Sequence, residues 1–488
     1  MSLRFKKETA MTQSHFITPE AVDSPDIWRW HAWQMAQAIA QGDISSREAV
    51  GSCLQRIEAV NGRVNALPLC NPKEALALAD LADAAKASGQ VLGPLHGVPI
   101  SIKLNVDVTG QPTTDGALSR QHALATDTSP VVTRLQQSGA VVLARSNVPA
   151  FSFRWFCDND LHGQTLNPWN DQLTPGGSSG GAAAAVAAGM CPLSHGNDIG
   201  GSIRYPSYAC GVAGLRPTSG RIPTYNFSQG DKVFSFQHFL TQGPIARCIQ
   251  DLRLGFEAMA GYHPLDPDSV PKTALGAATP PCRVALMDDF GGLPMAPEVQ
   301  QALEAAARWL SDAGYNVERQ SLPGLGELVD LYCQFVMTEI EVLGFSQLIE
   351  QEGDLASQKA VGGMFARAGE RPTLQSYIQG FMRRDSIRRA WNLVFEQFPI
   401  MLMPTSLQLP FVVDYDLGGD AVMADIMAAQ TTMLAIPLLN YPTVCVPTGV
   451  HAGNVPVGVQ IAAGPYQEAR CLDAAQVIEA RARMPLPW

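Results

Sequence analysis

The sequence predicts an α/β layer fold, and three observations point to it. The first 150 residues alternate helical and strand patterns, the sign of helices packed on a sheet. Four short apolar runs, at 283–287, 400–403, 443–446 and 455–462, read as further buried strands. Helical patterns at 297–312 and 326–398 stand between the first two of those runs. The chain of 488 residues is 46% hydrophobic and 16% charged, which suits a folded domain with a deep core. Length alone would allow two or three domains, but large α/β enzymes of this size also fold as one unit.

Taken in order, residues 1–25 read as a poorly ordered leader. From Trp28 to about Val60 apolar positions recur at helical spacing. Within that stretch Ser45-Ser46-Arg47-Glu48 has the serine-to-glutamate spacing of an N-cap opening a second helix. Residues 72–88, rich in Ala and Leu, form a further helix. Residues 98–102 alternate into a short strand, 129–138 are helical, and Ala140-Val141-Val142-Leu143 is a short buried strand. The stretch 163–219 is dominated by Gly, Ser and Ala, with one helix at about 180–190 between glycine loops. A proline-rich connection at 264–281 precedes the strand at 283–287. Residues 466–483 close the chain as a helix.

The net charge is −11 and no Lys or Arg cluster forms a stripe, so nucleic-acid binding is not expected. The ten cysteines include no CxxC pair and no Cys/His grouping with zinc-ligand spacing. Most sit in apolar runs such as Val444-Cys445-Val446, so buried free thiols in a reducing compartment are expected. The first 18 residues are polar and basic without an apolar centre, unlike a signal peptide. The longest apolar stretch, 182–193, is broken by Gly189 and Pro192 and is too short to span a bilayer. The expectation is a cytoplasmic protein with no membrane partner, and a homodimer is left open.

The central run is Pro175-Gly176-Gly177-Ser178-Ser179-Gly180-Gly181, followed by Asn197-Asp198-Ile199-Gly200-Gly201-Ser202-Ile203-Arg204. Glycines beside a polar side chain let backbone N–H groups converge on a ligand. The plainest reading is a pair of turns, although two such loops joined by a compact Ala helix weaken it. A second reading takes 176–180 as the G-x-S-x-G elbow of an α/β hydrolase. That elbow needs a strand just before the serine, and 167–175 carries two prolines and is polar. A third reading is a phosphate cradle, but no Gly-Lys-Ser/Thr follows, and no lysine lies between Lys103 and Lys232.

Residues 176–223 resemble the signature of the amidase signature family throughout, including Gly211-Val-Ala-Gly-Leu-Arg-Pro-Thr-Ser-Gly-Arg221. Leu95-His-Gly-Val-Pro-Ile-Ser-Ile-Lys103 is similar to the family's lysine motif. Gly163-Gln-Thr-Leu-Asn-Pro-Trp169 and Pro456-Val-Gly-Val-Gln-Ile461 also match, so the resemblance covers roughly residues 30–485 in order. It implies a single α/β domain over 26–488, a large mixed β-sheet sandwiched between helices, with a mostly helical section at 326–398 covering the active site. It implies Lys103 as general base, Ser178 as relay on a cis peptide bond, and Ser202 as nucleophile. The N–H groups of Ile199, Gly200, Gly201 and Ser202 would form an oxyanion hole. Ser179 would support the relay serine, and Arg204 would brace the loop through Asp198. Neither metal nor organic cofactor is implied. Two departures stand out: Leu104, where many members carry Asp, and Asn197, where Thr or Ser is usual. Neither is expected to touch the triad, and both are expected to alter its surroundings.

These residue types suit amide cleavage. An alcohol needs a base within reach, and lysine serves only when neutral, a form that burial favours. Lys103 follows Val98, Ile100 and Ile102, which suggests an apolar setting; the plain alternative is a surface lysine ending a strand. Phe151, Phe153, Trp155 and Phe156 crowd the segment that in the family comes near the acyl group, and Phe153, Arg154 and Trp155 are the candidate pocket residues. They could equally fill the core as alternate residues of a strand. A second wall, by resemblance, would come from the chain after the helical section. It carries no Lys or Arg over 391–469 and offers Phe411, Tyr415, Met423, Met427 and Met433. The expected substrate is a small neutral amide, anilide or carbamate with an apolar or aromatic group. Arg154 is the one residue there that could anchor an acid. The rival within the family is the glutamine-hydrolysing catalytic subunit of a tRNA-dependent amidotransferase. Such subunits continue Ile-Arg-Gln and Tyr-Gly-Arg-Val-Ser, whereas here Tyr205 follows Arg204 and the later stretch reads Ser219-Gly-Arg-Ile-Pro223. A binding protein without activity would be expected to lack a triad member, and none is missing.

Overall fold

Eleven short strands form one mixed sheet: β1 (Leu69–Cys70), β2 (Pro99–Lys103), β3 (Val141–Ser146), β4 (Leu193–Asp198), β5 (Ala213–Arg216), β6 (Thr241–Ala246), β7 (Arg283–Leu286), β8 (Asn316–Arg319), β9 (Ile400–Pro404), β10 (Thr443–His451) and β11 (Val455–Ala463). Their order across the sheet is β1-β3-β2-β4-β6-β5-β10-β11-β9-β7-β8. β2 runs parallel to both β3 and β4, and β7 runs parallel to β8 and β9; the remaining pairs are antiparallel. This is a computed structural model describing residues 24–488. Nearly all of the expected leader, residues 1–23, lies outside the described residues.

Strand periodicity explains why the sheet is covered on both sides. Successive side chains face opposite ways, so a strand buried on both faces divides its residues between two cores. In β9, Ile400 and Leu402 join one apolar cluster while Met401 and Met403 join the other; in β10, Val444 and Val446 divide from Cys445 in the same way. The first core is closed by the helices Ala32–Gln41, Ser46–Val64, Gly180–Ala187, Ile249–Met259, Pro297–Asp312 and Glu468–Ala482. The second is closed by Leu325–Val342 and the helices that follow it up to Thr431–Leu439. The Ser45 expectation holds in detail: its side chain accepts the Glu48 N–H and the Glu48 side chain accepts the Ser45 N–H.

Three central strands escape the sequence reading. β4 reads Leu-Ser-His-Gly-Asn-Asp, yet all six residues are buried. Its polar side chains find partners inside the sheet: Ser194 bonds Ser101, and His195 Nε2 lies 2.9 Å from Gln242 Oε1 on β6, while His195 Nδ1 is buried without one. Hydrophobic alternation is absent because hydrogen bonding takes its place. Neither β5 nor β6 carries an apolar run long enough to be read as a strand. The aromatic segment is not a strand either. Ala150–Ser152 is a 3₁₀ turn in which Phe151 and Ser152 have φ of 56° and 60°.

No single described helix is long and apolar enough to cross a membrane. Asp420–Ala429 and Thr431–Leu439 are apolar enough together, but they meet at 64°, and the second is buried throughout. All ten cysteines are free, and only Cys70 and Cys282 are not fully buried.

Candidate active site

β2 is buried along its length and ends on Lys103, which is 0% exposed. Its Nζ lies 2.7 Å from Ser178 Oγ and 2.7 Å from Asn197 Oδ1. Asn197 and Asp198 close the parallel neighbour β4, so two adjacent strands end at one place, where open α/β sheets form crevices. The expectation that Asn197 stands clear of the triad is therefore corrected: it touches the lysine directly. Leu104, the other departure, is buried without a polar role.

Burial holds the Lys103 amine down to about 7, with Asp115, Cys157 and Asp198 pulling the other way. A neutral amine has two N–H donors and one lone pair. Asn197 Nδ2 donates to Asn105 Oδ1 at 3.0 Å, which leaves Asn197 Oδ1 to accept an N–H from Lys103. The lone pair is then free to face Ser178. An amine held this way can take a proton from that hydroxyl.

The Gly177–Ser178 peptide bond is cis. Gly177 packs so tightly that a Cβ would stand 2.3 Å from Phe156 O and 2.4 Å from Arg154 O. The first serine loop is thus seated on the backbone of the aromatic segment. Ser178 is 2% exposed and Ser202 8%, and both face one cavity. The Ser179 N–H donates to Ser202 O at 3.2 Å, tying the two loops together through the backbone.

The second loop is organised by Asp198. Its oxygens accept the N–H of Gly201 (2.9 Å) and Ile203 (3.2 Å), and Arg204 grips both oxygens at 2.9 and 3.0 Å. Arg216 stands 3.7 Å away. Burial alone would raise the Asp198 carboxyl, but Arg204 and Arg216 hold it below the ordinary range. Trp155 Nε1 donates to Gly200 O at 2.9 Å, so the Gly200–Gly201 peptide is held at both ends. This alters the expected oxyanion set. The Gly201 N–H is committed to Asp198, and Gly201 instead supplies the φ of 104° that the turn requires. Among the described residues the N–H groups of Ile199, Gly200 and Ser202 have no protein acceptor.

Ser178 and Ser202 form the polar floor of a cavity of ≈ 380 Å³. Its walls are mostly apolar, with Phe153, Trp155, Phe236, Val336, Met337 and Phe345 among them, and Arg120, Asp231, Lys232 and Glu339 also border it. The second wall comes from the helix Leu325–Val342, not from the chain after 391 as expected. Of the residues anticipated there only Met427 reaches the cavity; Met433 packs behind Gly201, while Phe411 stacks with Phe156 and Tyr415. The first helix of the helical section thus enters the site itself.

Arg154 borders the cavity but is engaged elsewhere. It grips Asp416 at 2.8 and 3.0 Å and Asp158 at 2.7 Å, with its side chain fully buried. The one His/Cys/Asp grouping with metal-like spacing among the described residues is His31, Cys248 and Asp251, and none of the three borders the cavity. Both Asp251 oxygens accept backbone N–H groups, from Ala32 and Trp33, which accounts for the carboxylate as a helix cap.

Residues 48–472 match the family profile described as Amidase. The chain is similar to an indoleacetamide hydrolase of Bradyrhizobium diazoefficiens, 40% identical over 459 residues covering 93% of this chain and 87% of that one. It is also similar to a glutamyl-tRNA(Gln) amidotransferase subunit of Moorella thermoacetica, 32% identical over 485 residues covering 93% and 97%. Among solved structures it is similar to a bacterial aryl acylamidase of the amidase signature enzymes, with TM-score 0.82, 26% identity and coverage of 95% and 98%.

The Asp198 cluster yields a stability prediction. Asp198→Ala would leave Arg204 and Arg216 as buried unpaired cations, at a cost of roughly 3–5 kcal/mol. Thermal and urea unfolding of this variant should show a large loss. Ser202→Ala, which breaks no buried pair, should melt like the parent.

Proposed function

The chain belongs to the amidase family, and from that premise we propose that it hydrolyses small neutral aromatic amides through an acyl-enzyme on Ser202. As an amidase it cleaves an amide C–N bond. In the proposed mechanism Ser202 Oγ attacks the carbonyl carbon. Its proton passes to Ser178 Oγ as the Ser178 proton passes to Lys103 Nζ. The carbonyl oxygen becomes an oxyanion facing the N–H groups of Ile199, Gly200 and Ser202, each contributing about 3 kcal/mol to the lowered barrier. The tetrahedral intermediate collapses as the relay returns the proton to the departing nitrogen. Water then attacks the acyl-enzyme by the same proton route and releases the carboxylic acid.

The observation that carries this reading is the geometry of one cavity. Ser178 and Ser202 form its floor with Lys103 buried behind Ser178, and aromatic and aliphatic side chains form most of its walls. At ≈ 380 Å³ it has the size of a site for a small ligand. Its walls would stabilise an aryl group by about 25 cal/mol per Å² buried. The indoleacetamide hydrolase and the aryl acylamidase both point to an aromatic amide or anilide. Carbamates present the same carbonyl geometry and fall within the proposed range.

The amidotransferase reading asks for a partner to the carboxylate of glutamine. Each cation bordering the cavity is already engaged. Arg154 holds Asp416 and Asp158, Lys232 donates to Thr224 Oγ1 at 2.8 Å, and Arg120 stands 3.9 Å from Asp115 over the Phe151 ring. A free carboxylate would have to displace one of these contacts to find a partner for its charge.

The relay can be tested by substitution and by pH. Ser202→Ala, Ser178→Ala and Lys103→Ala should each lower kcat by roughly 10³-fold or more, because members of a relay act as a unit. In the parent enzyme kcat/KM should rise as Lys103 loses its proton, with a midpoint near 7 and a plateau above it. A Ser202→Ala enzyme retaining more than about a tenth of parent activity would remove Ser202 from the mechanism. For substrate choice, kcat/KM for an arylacetamide should exceed that for glutamine by about 100-fold. A preference for glutamine that Arg154→Ala abolishes would restore the amidotransferase reading.

A further inference from the structure

Asn197 is one link of a longer chain. Lys103 Nζ donates to Asn197 Oδ1 (2.7 Å), and Asn197 Nδ2 donates to Asn105 Oδ1 (3.0 Å). Asn105 Nδ2 donates to Ser152 Oγ (3.0 Å), and Ser152 Oγ donates to Asp115 Oδ1 (2.6 Å). These four hydrogen bonds run in one sense, each donor pointing away from the amine and toward the carboxylate; a longer contact, Asn105 Nδ2 to Asn197 Oδ1 at 3.4 Å, returns between the two amides. That sense is fixed by chemistry: an ionised carboxylate only accepts, and each amide between the two ends then has a single orientation that satisfies both neighbours.

The backbone is distorted to make this connection. Asp115, Phe151 and Ser152 have φ of 47°, 56° and 60°, a left-handed conformation unfavourable for such residues. The Phe151 N–H donates to Asp115 O at 2.8 Å and locks the two turns together. Outliers of this kind persist where the surroundings over-determine them, and they gather at functional sites. Here they bring the Asp115 carboxylate and the Ser152 hydroxyl into line with the Asn105 amide.

Resting on the reading of Lys103 as base, we propose that Asp115 is a positioning residue acting on Lys103 through Ser152, Asn105 and Asn197. The chain fixes where the amine N–H points and stabilises the ammonium formed when Lys103 takes its proton. A carboxylate at the end of an aligned chain polarises every link in the same direction, so Asn197 Oδ1 accepts more strongly. Burial pushes the Asp115 carboxyl up to about 6, opposed by Ser152, Arg120 and Lys103. Arg120 at 3.9 Å and the Ser152 hydroxyl at 2.6 Å favour its ionised form. The charged and titratable groups facing Lys103 are Asp115, Cys157 and Asp198, with His195 close by and held down to about 3 by burial; those facing Asp115 are Arg120 and Lys103.

The test uses the full-length enzyme and an arylacetamide, with kcat and KM measured from about pH 5 to 10. The variants are Asp115→Asn, Asn197→Ala, their double variant and Lys103→Ala. Asp115→Asn should lower the kcat plateau roughly tenfold and leave KM nearly unchanged. Because the carboxylate favours the ammonium, its removal should move the ascending limb to lower pH. Asn197→Ala should do the same, and the double variant should be little worse than Asn197→Ala alone, since one chain is broken in both cases. An unmoved limb in Asp115→Asn, a loss confined to KM, or additive losses in the double variant would overturn the proposal while an inactive Lys103→Ala left the base assignment standing. An active Lys103→Ala would instead overturn the base assignment. If Asp115→Asn fails to fold, Ser152→Ala breaks the same chain while keeping the Asp115 side chain, and an unmoved limb there overturns the proposal equally.

Discussion

The arrangement of the site depends on a lysine amine held out of water at the end of a central strand. Desolvation penalises an ammonium far more than a neutral amine, so burying Lys103 favours the neutral form that the proposed mechanism needs near neutral pH. That burial is a property of the whole sheet. β2 lies between β3 and β4 with every residue covered, and no edge strand could hide its last side chain so completely. The cost is met locally by two oxygens within hydrogen-bond reach, those of Ser178 and Asn197.

The second loop has the opposite electrostatic design. Where Lys103 touches only neutral oxygens, Asp198 is surrounded, with two arginines and three backbone N–H groups around it. A fully paired carboxylate is a rigid anchor, and it sets the turn that carries Ser202. Trp155 completes the turn from the other side. It serves the cavity wall with its ring and the loop with its N–H, so the aromatic segment and the serine loops form one unit. The same economy explains the tight seat of Gly177 on the backbone of residues 154 and 156.

Much of this is legible in the sequence, for reasons that differ by element. β9 and β10 announce themselves through apolar runs, and the helix after Ser45 through its cap. Ser178 and Ser202 are legible as candidates through glycine-flanked motifs, and Lys103 through the resemblance of 95–103 to the family's lysine motif. β4 is illegible because its core-facing groups are polar and pair with one another. Asn197 reads as a substitution beside the site, since nothing in a linear sequence shows that its amide reaches Lys103. Asp115 carries no signal at all. It lies far from both serines in sequence and reaches the lysine only through residues from three separate segments. Arg154 is legible as a cation near the pocket but not as a neutralised one, because Asp416 arrives from the other end of the chain. The wall contributed by Leu325–Val342 is hidden in the same way, by a helix whose pattern shows only that one face is buried.

The most direct test of a buried, neutral lysine base is the titration of Lys103 itself, independent of turnover. Protein labelled in its lysine side chains can be followed by NMR through a pH series, and Lys103 assigned by its absence in Lys103→Met. Lys103 should give a signal with a midpoint near 7, distinct from Lys232, which burial holds down to about 8. A Lys103 midpoint close to the ordinary lysine value of about 10.4 would contradict the role of burial and the mechanism built on it.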